Sequence, residues 1–224
     1  MLPVIRTPDL TLLQEAAPDF RYLLSRGYPR AAALALVGNR YRLEHTARQI
    51  LHRGVFAPEA AQARRAKLRL LGDLAGQPLG VDGHNVLITL ECGLRHLPVV
   101  AADDGWLRDV GQVSRAYRAS PVTEQALMLL ANYLLCRQAG PVNVFYDAPL
   151  SRSGELARRT RELWAEKGLA VTAAAVPVPE RELAAGPGPL ASSDTALIDQ
   201  GTIMVDLAGE IIRHQGWSVI DLGS

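Results

Sequence analysis

The sequence predicts an α/β protein, with a three-layer, mostly parallel sheet preceded by a small all-α domain. Three observations predict it. Residues 9–71 carry helix-type spacing and no β-type alternation. From Leu79 onward, short apolar runs alternate with amphipathic segments, the pattern of strand–helix–strand units. Between these regions, Leu71-Gly72-Asp73-Leu74-Ala75-Gly76-Gln77-Pro78 gathers glycines and a proline at a shift in composition, which marks a boundary. The expected domains are a helical domain over 1–75 and an α/β domain over 79–224.

Asp9 is placed to cap a first helix from Leu10, and Asp19 a second over Phe20–Arg26 that stops at Gly27. Pro29 suits the first turn of a helix over Ala31–Val37, ended by Gly38-Asn39. Further helices are expected from Tyr41 to His52 and from Pro58 to Leu71. Leu79-Gly80-Val81 reads as a strand ending at Asp82, followed by a helix over Val86–Leu94. Ser120 and Pro121 open a long helix to Gln138, with Leu127, Leu130 and Leu134 on one face. Val142–Tyr146 is a strand ending at Asp147, and Ser153 is placed to cap the helix that follows. Leu169–Val176, Thr202–Val205 and Trp217–Ile220 complete the strands, and Ser193-Asp194 opens a short helix before the fourth.

With 48% apolar and 21% charged residues the composition is that of an ordinary globular protein. No apolar run reaches the length of a membrane span, and the first residues lack the layout of a signal peptide. Cys92 and Cys136 suggest no disulfide framework. A cytoplasmic protein with no membrane partner is expected. Residues 1–75 hold 12 Lys and Arg against 6 Asp and Glu, whereas residues 76–224 hold 12 against 17. A basic module joined to an acidic one suits an enzyme acting on a polyanion; a chance split over two solvated surfaces fits equally well.

Asp82 and Asp147 each follow the last apolar residue of a strand, and Asp194 opens the helix after the third. In a parallel sheet all three fall on the carboxyl edge, where ligands bind. Clustered carboxylates there suit a hard divalent cation, which activates water against a phosphodiester. Each has a plainer reading. Asp82-Gly83 and Asp147 serve as turn residues, and Asp194 as a helix cap. No phosphate-binding Gly-rich loop, Cys-x-x-Cys pair or Gly-x-Ser-x-Gly elbow is present.

Val81-Asp82-Gly83-His84-Asn85-Val86 resembles the opening motif of PIN-like nucleases, of the NYN branch, in which a strand ends in Asp-Gly-x-Asn. Asn143–Ala148 is similar to that branch's second strand with its terminal aspartate, and Ser192-Ser193-Asp194-Thr195-Ala196-Leu197-Ile198 to its Asp-x-x-Ile/Leu helix start. With Arg26-Gly27-Tyr28-Pro29 and Val37-Gly38-Asn39-Arg40-Tyr41, the whole chain resembles an uncharacterised prokaryotic family, the domain of unknown function numbered four-three-four. The resemblance implies a Rossmannoid sheet and a Mg²⁺- or Mn²⁺-dependent endoribonuclease, with Asp82, Asp147 and Asp194 as catalytic metal ligands.

Asp109 and Glu124 are candidates for a further ligand, Glu124 being equally suited to favour a helix N-terminus, and Glu91 is a weaker one. Met204-Val205-Asp206-Leu207 lacks the threonine of the family's Thr-x-Asp, which makes Asp206 structural. Asn85, Arg108, Ser153, Ser193, Arg40 and Arg42 are candidate substrate contacts. Ser153 is also an ordinary cap, and Arg108 and Arg118 are also placed to pair with Asp103 and Asp104. His84, alone, reads as a solvent-facing loop residue. The helical domain, with Arg21, Arg26, Arg30, Arg40, Arg42, Arg48 and Arg53, is expected to grip RNA, and a homodimer is one expected state. Two alternatives stand beside the nuclease. One is a non-catalytic RNA-binding or adaptor protein that keeps the fold; the other is a small-molecule phosphohydrolase. The 5% aromatic content argues against a base-stacking platform.

Overall fold

The computed structural model describes residues 9–110 and 118–223. Its helices in chain order are α1 (Leu10–Ser25), α2 (Arg30–Arg40), α3 (His45–Gly54), α4 (Pro58–Arg65), α5 (Gly83–Leu94), α6 (Pro121–Cys136), α7 (Ser153–Glu166), α8 (Pro179–Ala185), α9 (Thr195–Gln200) and α10 (Leu207–His214). The strands are β1 (Leu79–Asp82), β2 (Val99–Ala101), β3 (Leu107–Asp109), β4 (Val142–Asp147), β5 (Val171–Val176), β6 (Leu190–Ala191), β7 (Met204–Val205) and β8 (Ile220–Asp221). This is an α/β fold in which a small helical bundle precedes a mostly parallel sheet. None of the described helices is long and apolar enough to cross a membrane.

The chain divides into two compact units. The first comprises Met1–Ala66, Leu97–Gly111 and Ser218–Ser224. Asp9 caps α1 as expected, accepting from the Thr11 and Leu12 amides. The expected break at Pro18-Asp19 does not occur: α1 runs through Pro18. A proline inside a helix loses one hydrogen bond. Burial of Leu13, Ala16, Ala17 and Phe20 on one face offsets that loss. Asp19 is therefore no cap; it accepts from the Tyr41 hydroxyl at 3.0 Å.

Gly38 makes room for Arg48. A Cβ at position 38 would sit 2.2 Å from the Arg48 guanidinium, which donates to the Leu43 carbonyl and to Asn39 Oδ1. Arg42 takes a positive φ of 50°, so the third helix starts at His45 rather than Tyr41. The helices share a core with a small sheet of order β3-β2-β8, in which Phe20, Ile50, Leu51 and Val55 pack in one cluster with Val100 and Leu222. Strands β2 and β3 form an antiparallel hairpin, and β8 joins β2 in parallel. The last expected strand thus pairs in this sheet and not in the larger one.

The second unit comprises Lys67–His96 and Gln112–Trp217. Its five strands are all parallel, in the order β5-β4-β1-β6-β7. The helix expected to reach Leu71 stops at Arg65 because the next backbone is used elsewhere. Met204 donates its amide to the Lys67 carbonyl, and Arg69 donates to the Met204 carbonyl. Strand β1 is central and fully buried, and α5 follows it with no intervening loop. Chain order reverses across β1, which pairs with β4 on one side and β6 on the other, making this a topological switch point.

The passage from β1 into α5 depends on Gly83. A Cβ there would lie 2.3 Å from Cε1 of Tyr146, a buried ring whose hydroxyl is 2.8 Å from Thr160 Oγ1. Gly83→Ala is expected to cost about 2 kcal/mol in urea unfolding, because neither the ring nor the strand end has space to yield. A variant as stable as the parent would show that α5 does not rest on the ring.

Candidate functional site at the carboxyl edge of the sheet

The strand ends bring together Asp82 of β1, Asp147 of β4, and the Ser192-Ser193-Asp194 segment after β6. Asp82 is 7% exposed. Its Oδ2 accepts from Ser192 Oγ at 2.9 Å and its Oδ1 from the Asn85 amide at 3.3 Å. Burial pushes its carboxyl up from 3.8 to about 7, against the pull of those two hydrogen bonds; the negative charges of Asp147 and Glu180 push the same way as burial.

His84 is buried rather than solvent-facing, 3% exposed. The Asp147 amide donates to its Nδ1 at 3.0 Å, and Asp147 Oδ2 lies 3.1 Å from the same nitrogen. An amide can only donate, so Nδ1 serves as its acceptor when the imidazole proton is on Nε2. Protonating Nδ1 would turn a donor toward Oδ2 instead. Burial holds the imidazole below its ordinary value, against the nearby Asp147 carboxylate. The ring meets Tyr146 edge-on at 5.1 Å, which fixes its orientation.

Asn85 and Ser193 face each other. Asn85 Oδ1 accepts from the Ser193 amide at 2.8 Å and from its hydroxyl at 3.0 Å. This ties the loop after β6 to the first turn of α5. Asp194 caps α9, its Oδ1 accepting from the Ala196 and Leu197 amides at 2.9 and 3.0 Å. The Asp194 amide in turn donates to Ser192 Oγ at 3.1 Å.

The remaining candidates have other duties. Glu124 accepts three hydrogen bonds from Arg159 on the surface of α6 and α7. Asp109 belongs to the first unit, where Arg53 donates to both its carboxylate and its carbonyl. Glu91 is buried and accepts from Arg95 and Thr123. Asp206 caps α10 through the Gly209 amide and accepts from Arg213. Ser153 does not cap α7; that position is Arg152, at φ 62°, and the Ser153 hydroxyl donates to the Asp147 and Leu150 carbonyls. Arg108, 2% exposed, is closed on Asp104. Arg40 is 74% exposed, 3.5 Å from Asp19, and Arg42 is exposed.

The expected metal centre is overturned. Among the described residues, no group of three or more His, Cys, Asp or Glu side chains is placed to hold a metal ion. The physical reason lies in the three aspartates. Asp194 Oδ1 is taken by the helix it caps, both oxygens of Asp82 are met by protein donors, and Asp147 faces an imidazole. Hard divalent ions need several oxygens converging on one point. The donor set does not fit Mg²⁺ or Mn²⁺. With it fall the metal-dependent endoribonuclease and the description of this edge as the hydrolase, nuclease or metal-binding centre of the protein. The sequence reading missed Ser192 and Glu180, the first the direct partner of Asp82 and the second a charge acting on it. Ser192 was detectable as the first polar residue after Leu190-Ala191.

The raised Asp82 carboxyl has a measurable consequence. In the unfolded chain the group ionises near 3.8, so between pH 4 and 7 the folded state holds the proton more tightly. Ionisation therefore opposes folding progressively over that interval, and fully above it. Asp82→Asn is expected to gain stability over the parent as pH rises from 4 to 8, by roughly 4 kcal/mol at most. Urea unfolding across that pH range measures it, and a difference that does not change with pH would contradict the assigned cause.

Two family models match the chain. Protein of unknown function (DUF434) covers residues 12–67, and Domain of unknown function (DUF5616) covers residues 71–210. The whole-chain resemblance expected for the family numbered four-three-four therefore holds for the helical region, while the sheet matches a model of its own. Uncharacterized protein MJ0935 of Methanocaldococcus jannaschii is 33% identical over 150 residues, covering 67% of this chain and 72% of that protein. No solved structure matches the chain. The second model spans more than half of the sequence, and the chain belongs to the family Domain of unknown function (DUF5616), with a DUF434-type helical region before it.

Proposed function

We propose that this protein binds RNA through its basic helical unit without cutting it, and that its sheet is a PIN-like scaffold kept without the metal centre. The observation that carries this reading is the surface around the turn from α1 to α2. Tyr22 and Tyr28 are 64% and 49% exposed. Tyr22 and Arg26 are four residues apart at the end of α1 and its cap, so they lie on one face. Gly27, at φ 78°, turns the chain, and the Tyr28 amide donates to the Leu23 carbonyl, pinning Tyr28 within a turn of that face.

Arg26, Arg40 and Arg42 are exposed on the same unit. Among the described residues, no carboxylate pairs with Arg26 or Arg42. Exposed rings to stack bases, beside arginines for phosphates, are what a single strand uses. The low aromatic content, which argued against stacking, is offset by where two of the tyrosines stand. The sheet order, the two strand-terminal aspartates and the Asn85–Ser193 link support the scaffold part of the reading.

Fluorescence anisotropy with a short single-stranded RNA in EDTA tests it. Three phosphate contacts predict a log–log salt slope of about −2. Tyr22→Ala is expected to weaken binding roughly tenfold, and the RNA is expected to stay intact with or without Mg²⁺. Absence of binding at low salt, or binding indifferent to both tyrosines, would sink the reading.

A further inference from the structure

A different part of the first unit gathers arginines around one aromatic ring. Arg30, Arg64 and Arg108 all approach the Phe56 ring, their guanidinium carbons 4.6, 4.7 and 5.0 Å from its centre. Arg21 stands beside them through Asp103. The acidic groups among these residues are Asp103 and Asp104. Asp103 takes Arg21 in a two-bonded pair, and Asp104 takes Arg108 likewise, with Arg64 3.4 Å away. Neither aspartate is hydrogen-bonded to Arg30.

Both hydrogen bonds of Arg30 leave from Nη2, to the carbonyls of His52 and Val55. Nε and Nη1 have no protein acceptor among the described residues. Burial and the charges of Arg64 and Arg108 pull its guanidinium down to about 10, against the opposing pull of the two aspartates. Uncompensated charge in a poorly solvated place is costly, and a neutral water does not cancel it. A second observation points the same way. Trp106 is fully buried and its indole N–H has no acceptor among the described residues. Alternation along β3 and the residue before it puts Trp106 on the same side as Arg108.

We propose that the Arg30–Arg64–Arg108 cluster is a binding site for a tetrahedral oxyanion of the phosphate class. A negative charge answers the guanidinium that neither aspartate meets. Guanidinium forks from several directions suit phosphate oxygens better than a spherical halide. Arg30 supplies the donors that the protein leaves over. Arg64 and Arg108, held by Asp104, supply charge and fix the walls. The same group arrives either as free phosphate or as the terminal phosphate of an RNA.

The test uses the full-length protein freed of phosphate. Sodium phosphate is titrated by calorimetry, with thermal unfolding followed in parallel against sodium chloride of matched ionic strength. Saturable binding and a rise in Tm beyond that of chloride are expected. Arg30→Gln is expected to weaken phosphate binding at least tenfold, and Arg30→Lys, which keeps the charge and loses the fork, by less. Should Arg30→Gln fail to fold, Arg30→Lys with Trp106→Phe carries the comparison, each weakening phosphate without altering the chloride response. Displacement of bound phosphate by a 5′-phosphorylated RNA but not by its 5′-hydroxyl twin identifies the RNA end as the source. Displacement by neither identifies the free anion. No saturable binding, or binding unchanged in the Arg30 variants, overturns the site.

Discussion

A carboxylate removed from water must be met by donors, and much of this molecule is organised by that demand. Seven of the described acidic side chains are buried: Asp82, Glu91, Asp103, Asp104, Asp109, Asp206 and Glu210. Each is met differently. Asp104 closes on Arg108, Asp103 on Arg21 and the Phe56 amide, and Asp109 on Arg53. In this way a hairpin of two three-residue strands is bolted to α1 and α3 of its own unit. In the other unit, Glu210 accepts from the Leu71 amide and the Tyr133 hydroxyl, and Asp206 closes the start of α10. Unmet, any one of them would cost several kcal/mol, comparable with a large part of a domain's stability.

The same demand decides what the carboxyl edge can do. Carboxylates at strand ends bind metal when their oxygens are left over. Here Asp194 serves the helix it opens, and Asp82 is taken up by a serine and an amide. The edge is a closed hydrogen-bonding cluster around a buried imidazole. Its parts hold one another: Asn85 holds Ser193, the Asp194 amide holds Ser192, and Ser192 holds Asp82. Such circuits fix loop geometry, because loss of one member leaves the next unsatisfied.

Much of this architecture was legible in the residues. The larger sheet's strands β1 and β4 are apolar runs that stop at aspartates, β5 is an apolar run that stops at a proline, and their order along the chain implied a parallel sheet. Asp82 and Asp147 were placed correctly at strand ends, because a strand's last residue is visible as the point where apolar character stops. What was not legible is pairing. A count of arginines gives a basic module, but the partners of Arg21 and Arg53 are Asp103 and Asp109, over fifty positions away, whereas the pairing of Arg108 with Asp104, four positions away, was among those expected. Strands as short as β2 and β3 carry too few residues for any periodicity. Asp19 looked like a helix cap because local rules see a carboxylate before an apolar run and not the packed face that carries α1 through Pro18. Asp194 satisfied both a ligand pattern and a cap pattern, and only the direction of its oxygens separates the two.

The first unit is assembled from three stretches of chain, the last of them at residues 218–224, with most of the second unit encoded between. Strand β8, which pairs with β2, follows it in the chain only after residues 112–217 of the other unit. On the ribosome, the helices of the first unit emerge before the two later segments that complete their sheet, while the five-stranded sheet emerges as two blocks, 67–96 and 112–217. Those helices therefore keep one side of their core uncovered until the later segments arrive, an interval in which exposed Val55, Ile50 and Leu51 are available to chaperones.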